Sequence, residues 1–393
     1  MANILSQLKL RHKIVNILTL PILSKTWRKR IAHWLERCSI LSPIYFLYFA
    51  SSKVKNNTVL LFEANDCHAE VMIGYAKYLL DLGYNVDVLM SVVNWKEKPF
   101  ARVKDQRIRI FPFGRMFLRR FLLLEKIKQY EFVVITSSRY LIDYDYSKVI
   151  SVGQYLGFWP QGKKKTLIVE HDLPDIEDFK LQEYEKNKQI ITLAEFSRGT
   201  MVNPHYFGEY KANDRKNDIT KFIVVGGVNP NKKSYNLLIK ALRKLEAQNI
   251  NCQITVIGDG KLKNMPADMR KYFKFLGRLD FPDMFAEMEQ ADFFLPLLDK
   301  NNQEHLRYIT TGVTGSVQLI YGFAKPCLIQ DKFAEFYGFD ENNAIVYDDD
   351  LSEAILRAVT MDISAYSSIV NQIKKLANGV YQKSLKNLET IIQ

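Results

Sequence analysis

IVVGGVNPNKKSYNLLIKAL occupies residues 223–242. A β-branched run ends in two glycines, a short polar stretch with two lysines follows, and an amphipathic helical pattern begins at Tyr235. Gly226 and Gly227 allow a tight turn at the strand end and a close approach of backbone to a phosphate. Lys232 or Lys233, at the start of the helix, adds a point charge where the helix dipole already favours an anion. The chain contains no G-x-G-x-x-G, since GDG at 258–260 lacks the third glycine, and a nicotinamide dinucleotide site is disfavoured.

Outward from this stretch, short β-rich runs alternate with helical patterns. TVLLF (58–62), NVDVL (85–89), FVVIT (132–136), KVISV (148–152), TLIVE (166–170) and QIITLA (189–194) form one series. KFIVVGG (221–227), CQITVIGDG, YFKFLGRL, ADFFLPLL and KPCLI form another, after a polar break, EYKANDRKND, at 209–218. Strands separated by helices of this length predict parallel βαβ units. Two doubly wound α/β domains in series are expected. Ligands bind such sheets beyond the carboxyl ends of their strands, so the cleft between the domains is the place to search.

TTGVTGSVQLIYGFAKP, at 310–326, crowds small and hydroxyl-bearing residues in front of an apolar helix. Thr310, Thr311, Gly312, Thr314, Gly315 and Ser316 would present backbone N–H groups and hydroxyls able to surround a diphosphate without a metal. An ordinary helix capped by Thr or Ser explains the same composition.

As an ordered set, the Gly-and-Lys helix start, VIGDG, KFLGRL, ADFFLPL and the small-residue turn ending in GFAKP resemble a nucleotide-sugar-dependent glycosyltransferase of the GT-B fold. The likeness runs over roughly residues 221–360 and is to bacterial enzymes of lipopolysaccharide and capsule synthesis. PILSKTWRKR, at 21–30, is similar to the front end of such enzymes. The resemblance implies that Lys233 neutralises the donor diphosphate, with Gly226, Gly227, Lys232 and Gly258 around it. It implies that Thr311–Ser316, with Tyr308, holds the distal phosphate and sugar, and that Arg278 and Leu279 flank the base. Lys325-Pro326 would close the helix. Val228 stands where an arginine often follows the glycine, and Thr311 and Leu319 stand where retaining members carry two glutamates.

In the first domain, FEANDCHAEV (62–71) places His68 and Glu70 after a strand, and IVEHDLPD (168–175) does the same for Glu170, His171 and Asp172. Histidine or carboxylate there can take the proton of an attacking hydroxyl. His68, Glu70, His171 and Asp172 are the catalytic candidates; loop satisfaction or helix capping is the plain alternative for the histidines. The resemblance places His171-Asp172 in contact with the donor. His305, beside Arg307 and Tyr308, reads either as a reach toward the donor sugar or as loop surface. Asp348–Asp350 reads as capping and solvation, and no metal-ligand spacing is present.

A composition of 47% hydrophobic and 25% charged residues is that of a globular protein. The four cysteines lie far apart with no C-x-x-C, which excludes a zinc knuckle or redox pair. No signal-peptide pattern opens the chain, so a reducing cytoplasmic compartment is expected. Of the net charge of +12, residues 1–55 carry nine, with ten Lys and Arg against Glu36 alone. Trp27, Ile31, Trp34 and Leu35 form a narrow helical stripe beside Lys25, Arg28, Lys29 and Arg30. This pattern predicts contact with an anionic membrane surface at its cytoplasmic, inner face; a basic helix packed on its own domain is the alternative. A nucleic-acid partner is not expected, as no recognised motif follows.

The expected organisation is a basic amphipathic segment (1–57), an acceptor domain (58–215), a nucleotide-sugar donor domain (216–375) and a C-terminal helix (376–393). The expected function is transfer of sugar from a nucleotide-diphosphate sugar to a glycan or glycolipid acceptor in bacterial surface polysaccharide synthesis, with neither metal nor cofactor. A non-catalytic GT-B relative that binds a sugar nucleotide or a partner protein is the alternative.

Overall fold

The computed structural model describes residues 41–114, 117–122, 124–141, 149–151, 165–174, 179–212, 215, 219–229, 231–248, 250–262 and 265–393. The amphipathic stripe at 25–37, with His12 and His33, lies outside them.

The first domain is a seven-stranded sheet in the order β3-β2-β1-β4-β7-β8-β9. Its strands are β1 (Thr58–Glu63), β2 (Asn85–Ser91), β3 (Ile108–Phe113), β4 (Val133–Ile135), β7 (Thr166–Glu170), β8 (Ile190–Thr192) and β9 (Thr200–Met201), all paired in parallel. Every residue of β1, β4 and β7 is buried, as continuous apolar runs in a sheet covered on both faces should be. Two readings change. IRIFPF forms β3, which the sequence series omits; its Pro112 is tolerated because β3 is an edge strand. VIS of KVISV does not join this sheet but forms β6 (Val149–Ser151), antiparallel to β5 (Arg139–Leu141).

The second domain has the order β12-β11-β10-β13. Its parallel strands are β10 (Thr220–Val225), β11 (Cys252–Ile257), β12 (Phe273–Gly277) and β13 (Phe293–Phe294). A parallel bridge from Phe294 to Cys327 continues it to the pair β14 (Leu328–Gln330) and β15 (Ile345–Tyr347).

The helices that matter to the site are α1 (Ser42–Ser51), α2 (Ala69–Asp81), α3 (Tyr235–Leu245), α4 (Phe281–Gln290), α5 (Gly315–Gly322), α6 (Leu351–Thr360) and α7 (Ile363–Ile392). In α3, Tyr235, Leu238, Ile239, Leu242 and Leu245 are buried, the stripe that the period-3.6 pattern predicts. Residue 376 falls inside α7, which runs unbroken from the second domain back onto the first. There Tyr381 stacks on Tyr78 at 4.6 Å, and Asn387 Nδ2 donates to the Met201 carbonyl at 2.8 Å.

The connection after β9 threads between α2 and α5. Tyr75 and Tyr78 hydroxyls donate to the carbonyls of Val202 and Asn203, at 3.1 and 2.6 Å. A Cβ on Gly74 would lie 2.5 Å from the Pro204 carbonyl carbon, and one on Gly322 would lie 2.3 Å from the His205 oxygen. One apolar core runs through both domains, joining Val59, Leu61 and Tyr78 to Ile223, Phe285 and Val317.

This close approach is testable. Gly74→Ala should destabilise the protein by about 1–3 kcal/mol or more, because backbone cannot rotate away from the new methyl. Gly379→Ala, on the exposed face of α7 with nothing within 4 Å, should be neutral or stabilising by up to about 1 kcal/mol. Urea unfolding of the two variants measures the contrast; equal midpoints would remove the packing argument.

Candidate functional site between the two sheets

The carboxyl ends of β1, β4 and β7 lie side by side, and Glu63 ties two of them together. Its carboxylate is fully buried. One oxygen accepts from the Asn65 backbone N–H at 2.8 Å and amide at 3.0 Å. The other accepts from the hydroxyls of Thr136 and Ser137 at 2.7 and 2.6 Å. Burial raises its pKa, and these donors together with nearby His68 oppose the rise. Sequence reading missed Glu63, because an acid closing a strand carries no local signal of what it will hold.

Against this frame stand the two histidines. His68 stands at the N-cap position of α2, its side chain making no capping bond, in a left-handed conformation, φ 63°, uncommon for a residue with a side chain. Its ring centroid is 4.5 Å from that of His171, and its Nδ1 is 3.5 Å from Glu70 Oε1. His171 Nε2 lies 2.8 Å from the Thr136 carbonyl, which can only accept, so Nε2 carries a proton and Nδ1 is the free lone pair. Two adjacent imidazoles do not both charge. Burial, then the charge of His68, lowers His171 to about 3. For His68, burial opposes charge, but Cys67 and Glu70 outweigh it and hold the group well above the ordinary histidine value. Glu70 is lowered overall: burial works against its charge, and His68 more than compensates. The pair is thus one cation beside one neutral ring.

Asp172 is committed elsewhere. Its carboxylate pairs with Arg307 of the second domain at 2.7 Å. The adjoining backbone continues the contact, with Leu173 N–H on the Thr311 carbonyl at 2.6 Å and an antiparallel bridge between Asp172 and Gly312. This seam joins the domains, and an acceptor-activating role for Asp172 does not fit it.

In the second domain the strand ends close tightly. A Cβ on Gly258, φ 147°, would fall 2.0 Å from the Gly226 oxygen, so the β10 and β11 turns can approach only because this residue is glycine. Of the two lysines, Lys232 is exposed and Lys233 is 4% exposed. The Lys233 side chain lies over Gly226 and donates to the Pro296 carbonyl at 3.0 Å and the Ser316 hydroxyl at 2.9 Å. Among the described residues no carboxylate pairs with it, and burial lowers it to about 7.

Ser316 lies in the first turn of α5. Thr314 is the N-cap, accepting from the Ser316 N–H at 3.3 Å, and a Cβ on Gly315 would meet open space. The small-residue turn therefore caps a helix, and Gly315 at its start borders open space. Thr310 is exposed and bonds back to the Leu306 carbonyl, while Thr311 serves the interdomain seam. Tyr308 is half-buried beside the Arg307 guanidinium. Arg278 pairs with Glu97 of the first domain, and Leu279 packs on the shared core. His305 is fully buried, not loop surface, with Nδ1 accepting from the Asp299 N–H at 2.9 Å. Asp350 caps α6, and Asp348 pairs with Lys300.

Removing His68 should move His171. His68→Ala deletes the second-largest force holding His171 down, so its pKa should rise from about 3 toward the usual histidine range while remaining below it through burial. NMR titration of the His171 ring reads this directly; an unmoved midpoint would mean the two rings are not coupled.

Residues 220–360 match the family described as glycosyl transferases group 1. No curated protein matches the chain. Among solved structures, the fold is similar to a glycosyltransferase from Rickettsia africae, with 12% identity, a TM-score of 0.54, and coverage of 86% of this chain and 98% of that one. It is similar also to the trehalose-6-phosphate synthase OtsA, with 10% identity, a TM-score of 0.50, and coverage of 86% and 99%. Against TarM the TM-score is 0.46 at 12% identity, over 66% of this chain and 55% of TarM, so the chain spans about half of that protein's length. The open strand ends, the buried lysine and the uncovered helix start lie within the matched residues. The second domain is a member of the group 1 glycosyl transferases, set in a chain of the GT-B fold.

Proposed function

We propose that this protein transfers a sugar from a nucleotide-diphosphate sugar to a glycan or glycolipid acceptor in bacterial surface polysaccharide synthesis. The observation that carries the donor half is Lys233, a buried amine held by neutral oxygens at an open helix N-terminus. A diphosphate there would restore its charge and add to the field of α5. The charge on the leaving group is met by this lysine and the helix, with no metal invoked. In the first domain, the His171 Nδ1 lone pair orients and accepts from the acceptor hydroxyl, and the His68 cation with Glu70 balances charge beside it. The interdomain seam at Asp172 and Arg307 closes the cleft over both.

Release of sugar from radiolabelled nucleotide sugars tests the transferase reading against a non-catalytic relative. Donor that binds but never turns over would favour the relative, for which the replacement of two carboxylates by Thr311 and the buried Leu319 already speaks. Lys233→Ala should weaken donor binding by roughly 1.5–3 kcal/mol, a charge-assisted contact. In the parent, affinity should fall as pH rises above about 7, where the free lysine loses its proton. A donor affinity indifferent to both changes would remove Lys233 from the site.

The acceptor side is proposed to work on the inner face of the membrane. α1 exposes Ile44, Leu47 and Tyr48, at 59, 64 and 57%, next to a segment whose charge is strongly basic. Each basic residue near an anionic surface contributes about 1 kcal/mol. Among the described residues no helix is long and apolar enough to cross a membrane. Reversing Arg28, Lys29 and Arg30 to Glu should release the protein from anionic vesicles in a salt-dependent way, while activity on a small soluble acceptor survives. Equal pelleting of parent and reversed protein would refute the membrane role.

A further inference from the structure

His305 has a proton with nowhere to go. Its Nδ1 accepts the Asp299 backbone N–H, so the neutral ring must carry its proton on Nε2. The residue is 0% exposed, and its Nε2 has no hydrogen-bond partner among the described residues. A buried donor left unpaired costs about 1–3 kcal/mol, which a folded protein rarely carries without reason.

The surroundings say which kind of partner is missing. The loop after β13 holds both this ring and Lys233: Pro296 accepts from the lysine, Leu297 accepts from the Ser234 N–H, and Asp299 accepts from the Ser234 hydroxyl at 3.2 Å. Burial lowers His305, Asp299 and Glu304 raise it, and Lys233 is near enough to lower it further. The charged groups about the ring are therefore Lys233, Asp299 and Glu304. Asp299 already faces Ser234, and Glu304 is exposed on the outer side of its short helix. What remains is a buried N–H within the electrostatic reach of Lys233, a buried amine with no carboxylate partner among the described residues, which itself donates to Ser316 in the first turn of α5.

We propose that His305 Nε2–H is a second donor, alongside Lys233, to a phosphoryl oxygen of the diphosphate. This rests on the reading of the second domain as a nucleotide-diphosphate site. The imidazole is neutral, so it supplies direction where the lysine supplies charge. It would favour a group presenting an acceptor oxygen at that depth over one that merely carries negative charge at the mouth.

Two substitutions divide the ring's functions. Asparagine places its carbonyl oxygen where Nδ1 stands, so His305→Asn keeps the Asp299 contact and loses the deep donor. Glutamine extends an amide N–H to the place of Nε2, so His305→Gln keeps the donor and gives up the Asp299 contact. Calorimetric titration of the full chain with inorganic pyrophosphate should show H305N weakened about tenfold or more, the loss of a hydrogen bond to a charged group, with a melting temperature near the parent's. H305Q should bind pyrophosphate within about threefold of the parent despite a lower melting temperature. The reverse pattern, affinity following stability, would make His305 structural and overturn the proposal. In the parent, the His305 Nε2 proton and nitrogen resonances should shift on adding pyrophosphate, and unshifted resonances under saturation would overturn it without recourse to any variant. If the parent binds pyrophosphate through Lys233 yet H305N matches it, only His305's role fails. If the parent binds none, the diphosphate reading of the domain fails with it.

Discussion

The arrangement depends on how closely one strand of backbone can be squeezed between two helices. Residues 202–208 run between α2 and α5, and on each side the contact is made at a glycine, Gly74 and Gly322. No side chain fits at either point. The linker carbonyls of Val202 and Asn203 accept from Tyr75 and Tyr78, and His205 Nε2 lies 3.1 Å from the Ala377 carbonyl of α7. Because α5 carries the helix start that faces the cleft and α2 begins at His68, clamping the linker fixes both halves of the site at once.

Electrically the two halves are treated in opposite ways. The first domain crowds ionisable groups, His68, His171 and Glu70, so that each one's charge is set by the others. In the second, Lys233 has no carboxylate partner among the described residues, and burial weakens it. A crowded site can move a proton within itself at little cost, because a neighbour compensates. An isolated amine cannot, and its charge is completed by an incoming anion. That division matches a reaction in which one partner must lose a proton and the other must leave carrying charge.

Much of this was legible in the sequence. The alternation of β-rich runs and helical periods pointed to two parallel sheets, and the glycines at 226–227 and the small-residue turn at 311–316 pointed to a strand end and a helix start. These are local patterns, written within a few residues. What failed was whatever depends on distant partners. Pro112 hid β3 until its edge position was known, and VIS at 149–151 looked like sheet until it paired with β5 alone. Asp172 read as a candidate proton acceptor with no sign of its partner Arg307, which stands 135 residues away. His305 left two readings open, and its burial among distant residues removed the loop-surface one. Glu63, Gly74 and Gly322 carry no motif at all; their importance is entirely in what comes near them.

The chain passes between the domains twice, once through the linker at 202–208 and once through α7, and both passages lie together where Asn203 N–H meets Ser384 Oγ at 3.0 Å. A body tied to another at one point can swivel in any direction, but one tied along a line can only turn about that line. Two crossings laid side by side confine any relative movement of the domains to a turn about the line they share. The Asp172–Arg307 pair is exposed and contributes little by itself, but Glu97–Arg278, Lys98–Asp280 and Arg102–Glu289 also cross between the domains.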